Sequence, residues 1–61
     1  MSATKDDQDE RRARAAKYRE TAEMLRTLAA RLRYDLGRRA QLQALADGFE
    51  RLAERVEEPA S

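Results

Sequence analysis

Residues 18–36 read YRETAEMLRTLAARLRYDL. Their apolar side chains stand at Tyr18, Ala22, Leu25, Ala29, Leu32 and Leu36, at alternating steps of four and three. That alternation is the heptad pattern of an amphipathic helix, whereas a strand repeats every second residue. Met24 and Leu28 widen the stripe beyond what one partner helix covers. A helix with so broad an apolar face needs a partner surface, and the chain beyond residue 36 supplies one.

Leu42, Leu45, Phe49, Leu52 and Val56 follow at steps of three and four, with Ala46 and Ala53 beside them. Gly37 lies between the two stripes and suits the left-handed residue that closes a helix. Pro59 stops what precedes it. The spacing predicts helices over about 5–35 and about 39–57, joined by a turn at Gly37. The fold class is therefore all-α, an antiparallel coiled-coil hairpin forming a single domain, with frayed ends at residues 1–4 and 59–61.

A reversal at Gly37 brings Leu32 to Leu45, Leu28 to Phe49 and Leu25 to Leu52. Tyr18, Leu25, Leu28, Leu32 and Leu36 on the first helix are then the expected core. Leu42, Leu45, Phe49, Leu52 and Val56 complete it on the second. In this register Leu28→Ala or Phe49→Ala should each cost about 2–5 kcal/mol. Helix two runs out opposite Tyr18, so residues 5–17 overhang. Gly48 interrupts helix two at a cost of ~1 kcal/mol relative to Ala. It lies off the centre of the stripe, which favours an exposed glycine over a close helix crossing.

Sixty-one residues bury little surface, and small domains lean on disulfides, metals or association. The chain has no Cys and no His. The commonest metal ligands and general base are thus missing, and there is no glycine-rich phosphate loop. An enzyme is not expected, nor a cofactor or a metal. Association remains, and the expected state is a homodimer in which two hairpins form a four-helix bundle. No apolar run approaches the length of a membrane span. Residues 1–10 are acidic and polar, unlike a signal peptide, and the expected location is cytoplasmic.

Charge is divided between the helices. Residues 11–33 carry eight basic and two acidic side chains, while residues 40–58 carry two basic and five acidic ones. The hairpin sets the basic helix beside the acidic one. Thr4 is placed as N-cap, and Asp6, Asp7, Asp9 and Glu10 complement the positive helix end. Asp7–Arg11, Glu10–Arg14, Arg19–Glu23 and Glu23–Arg26 are spaced as intrahelical pairs, each contributing ~0.2–0.5 kcal/mol.

The basic run Arg11, Arg12, Arg14, Lys17 and Arg19 has the composition of a phosphate-gripping face. The four acids upstream repel a polyanion, and no stacking aromatics accompany the run, so a solvated face is favoured. Arg38 and Arg39, with Arg31 and Arg33, form a second cluster at the hairpin tip. Positive charge opposes the dipole where helix two opens, which singles the tip out as an anion or partner contact. Tyr34 beside it has the character of an interface anchor. The function expected is protein–protein interaction or oligomerisation, as an assembly, adaptor or regulatory subunit. The alternative is a small nucleic-acid-associated protein using the basic N-terminal half of helix one.

Residues 18–58 resemble the short uncharacterised helical-hairpin proteins of alpha-proteobacterial genomes. The shared pattern is a Tyr-Arg start, then Leu25, Arg26, Leu28 and Ala29. A short turn follows, then Leu42, Leu45, Ala46, Phe49, Leu52 and Ala53. This chain carries Asp-Leu-Gly at residues 35–37, where those proteins often have Asp-Pro. The resemblance implies the hairpin fold and supplies no site.

Overall fold

The computed structural model describes residues 5–58, with side chains from residue 7 onward. Two helices, α1 (Lys5–Arg31) and α2 (Leu36–Glu57), pack against each other as a hairpin. The all-α reading is met. The Thr4 cap and the frayed ends at 1–4 and 59–61 lie outside the described residues.

The turn differs from expectation. It occupies residues 32–35, so α1 is four residues shorter than anticipated and α2 begins three residues earlier. Asp35 decides this. Its carboxylate accepts a hydrogen bond from the Arg38 N–H at 3.1 Å, capping α2, and its carbonyl accepts the Arg39 N–H at 3.0 Å. A side-chain cap satisfies donors that otherwise open the helix unpaired. Gly37 therefore lies inside α2, and no described glycine has a positive φ. α1 closes with Leu32 N–H bonded to the Ala29 carbonyl at 3.0 Å. At the far end Glu58 has φ −62° and ψ 134°. That extended conformation is what a residue before proline prefers, and α2 stops where Pro59 requires. Asp35→Ala should cost about 1 kcal/mol, read as a lower urea midpoint, and Asp35→Asn should restore most of it.

Moving the turn moves the register. Tyr18 and Phe49 now meet, ring centroids 6.0 Å apart and tilted by 33°. Three residues back along α1 and four on along α2 stand Ala15 and Ala53. Four on and three back stand Ala22 and Ala46. These four alanines are 0% exposed and Ala29 is 1% exposed. The seam thus alternates alanine with larger side chains. Tyr18, Leu25 and Leu32 on α1, and Leu42, Phe49 and Val56 on α2, are half-buried between the alanines.

The pairings expected around Leu28, Leu45 and Leu52 are not formed within this register. Leu28 and Leu52 are each 42% exposed, Leu45 is 54% exposed, and Leu36, beside the turn, is exposed as well. A loss of 2–5 kcal/mol on Leu28→Ala is accordingly too large for the hairpin itself. The overhang is also shorter than expected. Val56, Glu57 and Glu58 line one shallow cleft with Gln8, Arg11 and Arg12, so α2 reaches far down α1 and covers Ala15.

The outcome is a flat, elongated slab. Its Cα extents are 53 × 18 × 8 Å and its radius of gyration is 14.8 Å. A compact chain of this length has a radius near 10.5 Å. No large side chain is fully buried among the described residues. The slab has two broad flanks, one on either side of the alanine seam.

Candidate interaction face

One flank is built from ion pairs. Arg26 Nη1 donates to Glu50 Oε2 at 2.5 Å, and its Nη2 donates to Asp47 Oδ1 at 2.7 Å and Glu50 Oε1 at 3.1 Å. One heptad earlier, Arg19 pairs with Glu57. Both arginines reach across to α2 rather than to Glu23 in their own helix. Helical side chains lean toward their own N-terminus, so in an antiparallel pair an arginine and a more distant acid lean toward each other. The basic helix does lie against the acidic one.

The hydrogen bond that Arg26 donates to Glu50 raises the Arg26 pKa, and the bond donated by Arg19 holds the Glu57 carboxyl below the usual carboxylate range. These groups are exposed, so the pairs are screened and individually weak. The stability from Glu57 is present above the ordinary glutamate pKa, near 4.3, and is lost as pH falls through the lowered folded value. Arg19→Gln should therefore flatten the acid limb of a urea-midpoint-against-pH curve. An unchanged acid limb would remove this pair from the account.

The opposite flank carries the large exposed apolar side chains, with Arg14 and Lys17 toward the α1 N-terminal end. A step of two residues from an ion-paired side chain, Arg26 to Leu28 or Glu50 to Leu52, turns about 200° around the helix. It leads to the far side of the seam. There α1 presents Met24, 60% exposed, and Leu28, and α2 presents Leu45 and Leu52. Ala44, Leu45, Gly48, Phe49 and Leu52 line a shallow hollow. A methyl group built on Gly48 would meet nothing within 4 Å. The glycine is thus open, as its place off the stripe suggested, but it is open within an apolar face.

The residues marked as contact candidates fall into separate places. Arg11 and Arg12 line the cleft with Glu57 and Glu58, and Arg19 is engaged by Glu57. Arg14 and Lys17 are exposed, on the flank away from Arg19. The basic run therefore does not form one strip, and part of it faces acids, an arrangement ill suited to tracking a phosphate backbone. At the tip, Arg38 Nε lies 3.9 Å from Asp35 Oδ2, Arg39 is exposed, and Tyr34 is 96% exposed in the turn. Asp47 and Glu50 both engage Arg26. Among the described residues no group of three or more His, Cys, Asp or Glu is placed to hold a metal ion. No helix among them is long and apolar enough to cross a membrane.

Sequence reading missed the alanine seam as the site of closest packing, and with it the open face. The signal was present: alanines recur every seven residues at 15, 22 and 29 and again at 46 and 53. Comparison with protein-family models, with curated proteins and with solved structures found no match.

Proposed function

We propose that this chain is a small protein–protein interaction module that works through the flank bearing Met24, Leu28, Leu45 and Leu52. The observation that carries the reading is their placement. Four large aliphatic side chains gather on one side of a slab whose opposite side is occupied by ion pairs. Contiguous exposed apolar surface marks interaction sites in soluble proteins. The hairpin has a further need of a partner, because fully buried alanines remove little apolar area from water. A domain of this size with so slight a core is marginal alone.

A photocrosslinking amino acid placed at position 45 should give covalent protein adducts in the cells that make the chain. The same group at position 43, turned toward the ion-paired flank, should give few or none. Equal yields from both positions, or none from position 45, would overturn the assignment of the face.

A further inference from the structure

We infer that the occupant of this face is an amphipathic helix of a different protein, one whose apolar stripe is bracketed by acidic side chains. It lies along the slab with its stripe on Met24, Leu28, Leu45 and Leu52. Its acids meet the cations that close the face at either end. This rests on the interaction-module reading and names the chemistry of its partner.

Charge is the first argument. Side chains seven residues apart stack in one row along a helix. On the flank of Leu28 the rows of α1 run Arg14, Thr21, Leu28 and Lys17, Met24, Arg31. Those of α2 run Arg38, Leu45, Leu52 and Gln41, Gly48, Arg55. These rows hold five cations and no acid. Of the acids bordering them, Glu20 lies on the outward side of α1 and Glu10 one step beyond Lys17 in its row. The corresponding rows of the opposite flank set Arg19 and Arg26 among Glu23, Asp47, Glu50, Glu54 and Glu57. The slab is thus basic on one flank and acidic on the other. Arg14, Lys17, Arg31 and Arg55 are exposed and enter no ion pair among the described residues, whereas Arg19 and Arg26 both do.

The second argument is the order within the rows. Lys17 and Arg31 stand fourteen residues apart, about 21 Å along α1, with Met24 midway. Tyr18 level with Phe49 puts Arg14 and Arg55 close to one height, and Arg31 and Arg38 close to another. The large aliphatic side chains fall between these ends, along about four helical turns. The hollow at Gly48 is open to a side chain from above. Thr21, in the middle of the face, spends its hydroxyl hydrogen on the Lys17 carbonyl at 3.0 Å, so it leaves no unmet donor beneath a partner. A helix with a central apolar stripe and acids at both ends matches this succession of cation, aliphatic and cation.

The same rows disfavour other occupants. A second copy related by a twofold axis would place this face on itself, cations against cations. The acidic flank of a second copy offers no apolar side chain larger than alanine in its rows. A helix lying on a bilayer keeps its cations on the polar face, away from the hydrocarbon. Here Met24 shares a row with Lys17 and Arg31, and Leu45 shares one with Arg38, so a bilayer would receive both kinds at one depth.

The probes are two helical peptides of about eighteen residues, long enough to span the face. Both carry the same central leucine stripe, one with glutamates at each end and the other with lysines there. Fluorescence anisotropy with the full chain at low salt should show the glutamate peptide binding about tenfold tighter, and added salt should narrow the difference. Lys17→Gln combined with Arg31→Gln should remove most of the preference. Ala40→Glu combined with Gln43→Glu lowers the net charge equally on the ion-paired flank and should keep it. Equal binding of the two peptides, or a preference that the Lys17 and Arg31 substitutions leave intact, overturns the acidic partner. So does failure of both peptides to bind. Binding to phosphatidylglycerol vesicles, or a mass of twice 7.0 kDa by light scattering, would then assign the face to a lipid surface or a second copy. Protein adducts from position 45 test the module reading by themselves, so the two readings can fail separately.

Discussion

Ala22→Leu should unfold the hairpin. Ala22 is 0% exposed and stands level with Ala46, also 0% exposed. Helix axes usually lie 8–10 Å apart, the spacing being set by the side chains at the contact, and alanine permits the near end of that range. A leucine there adds three carbons at a fully buried position of a tightly closed seam, which pushes the helices apart. Over-packing of this sort costs about 1–3 kcal/mol in larger cores, which can redistribute it. A slab one layer thick has nowhere to redistribute it. Far-UV circular dichroism at micromolar concentration should show loss of the cooperative melt. Ala30→Leu, on an exposed position of the same helix, serves as control and should melt like the parent. If Ala22→Leu also melts like the parent, the seam does not set the helix spacing.

Phe49→Ala should produce the second largest loss, about 2–3 kcal/mol. Full removal of a buried Phe costs about 3–5 kcal/mol, and Phe49 is only half-buried. Its contact with Tyr18 adds an aromatic pair worth ~0.5–1.5 kcal/mol beyond burial. The two parts separate in a double-mutant cycle. Tyr18→Ala and Phe49→Ala combined should fall short of their sum by about 1 kcal/mol, read from urea midpoints. Strict additivity would show that the rings are neighbours without being partners. Phe49 also lines the Gly48 hollow, so the cycle belongs at concentrations where the chain has a single mass.

The helical periodicity of both halves, the stop before Pro59 and the basic-against-acidic pairing were all legible in the sequence, because each follows from local chemistry. The turn was not. Gly37 and Asp35 are rival punctuation two residues apart, and either can end one helix or start another. Asp35 prevails because its carboxylate finds the Arg38 N–H, while Gly37 keeps an ordinary helical backbone. That small difference shifted every cross-helix pairing. It moved Leu28, Leu45 and Leu52 out of the expected seam and put alanines in it. The hollow at Gly48 was legible only as an off-stripe glycine. Its meaning depends on Leu45 and Leu52 being exposed around it, which no single-helix pattern shows.

The alanine seam has a consequence for how the chain measures itself. Alanines repeated at one interval on both helices look the same after α2 slides past α1 by that interval: Ala22 then meets Ala53, and Ala29 meets Ala46. Larger neighbours still alternate with them, so the slid arrangement is a near-degenerate alternative. What opposes it is the turn: residues 32–35 would have to be drawn out almost to full extension, giving up the Asp35 cap, and Tyr18 would leave Phe49. The turn is a ruler. Two peptides carrying α1 and α2 separately, with the ruler removed, should populate both alignments, where the intact chain holds one.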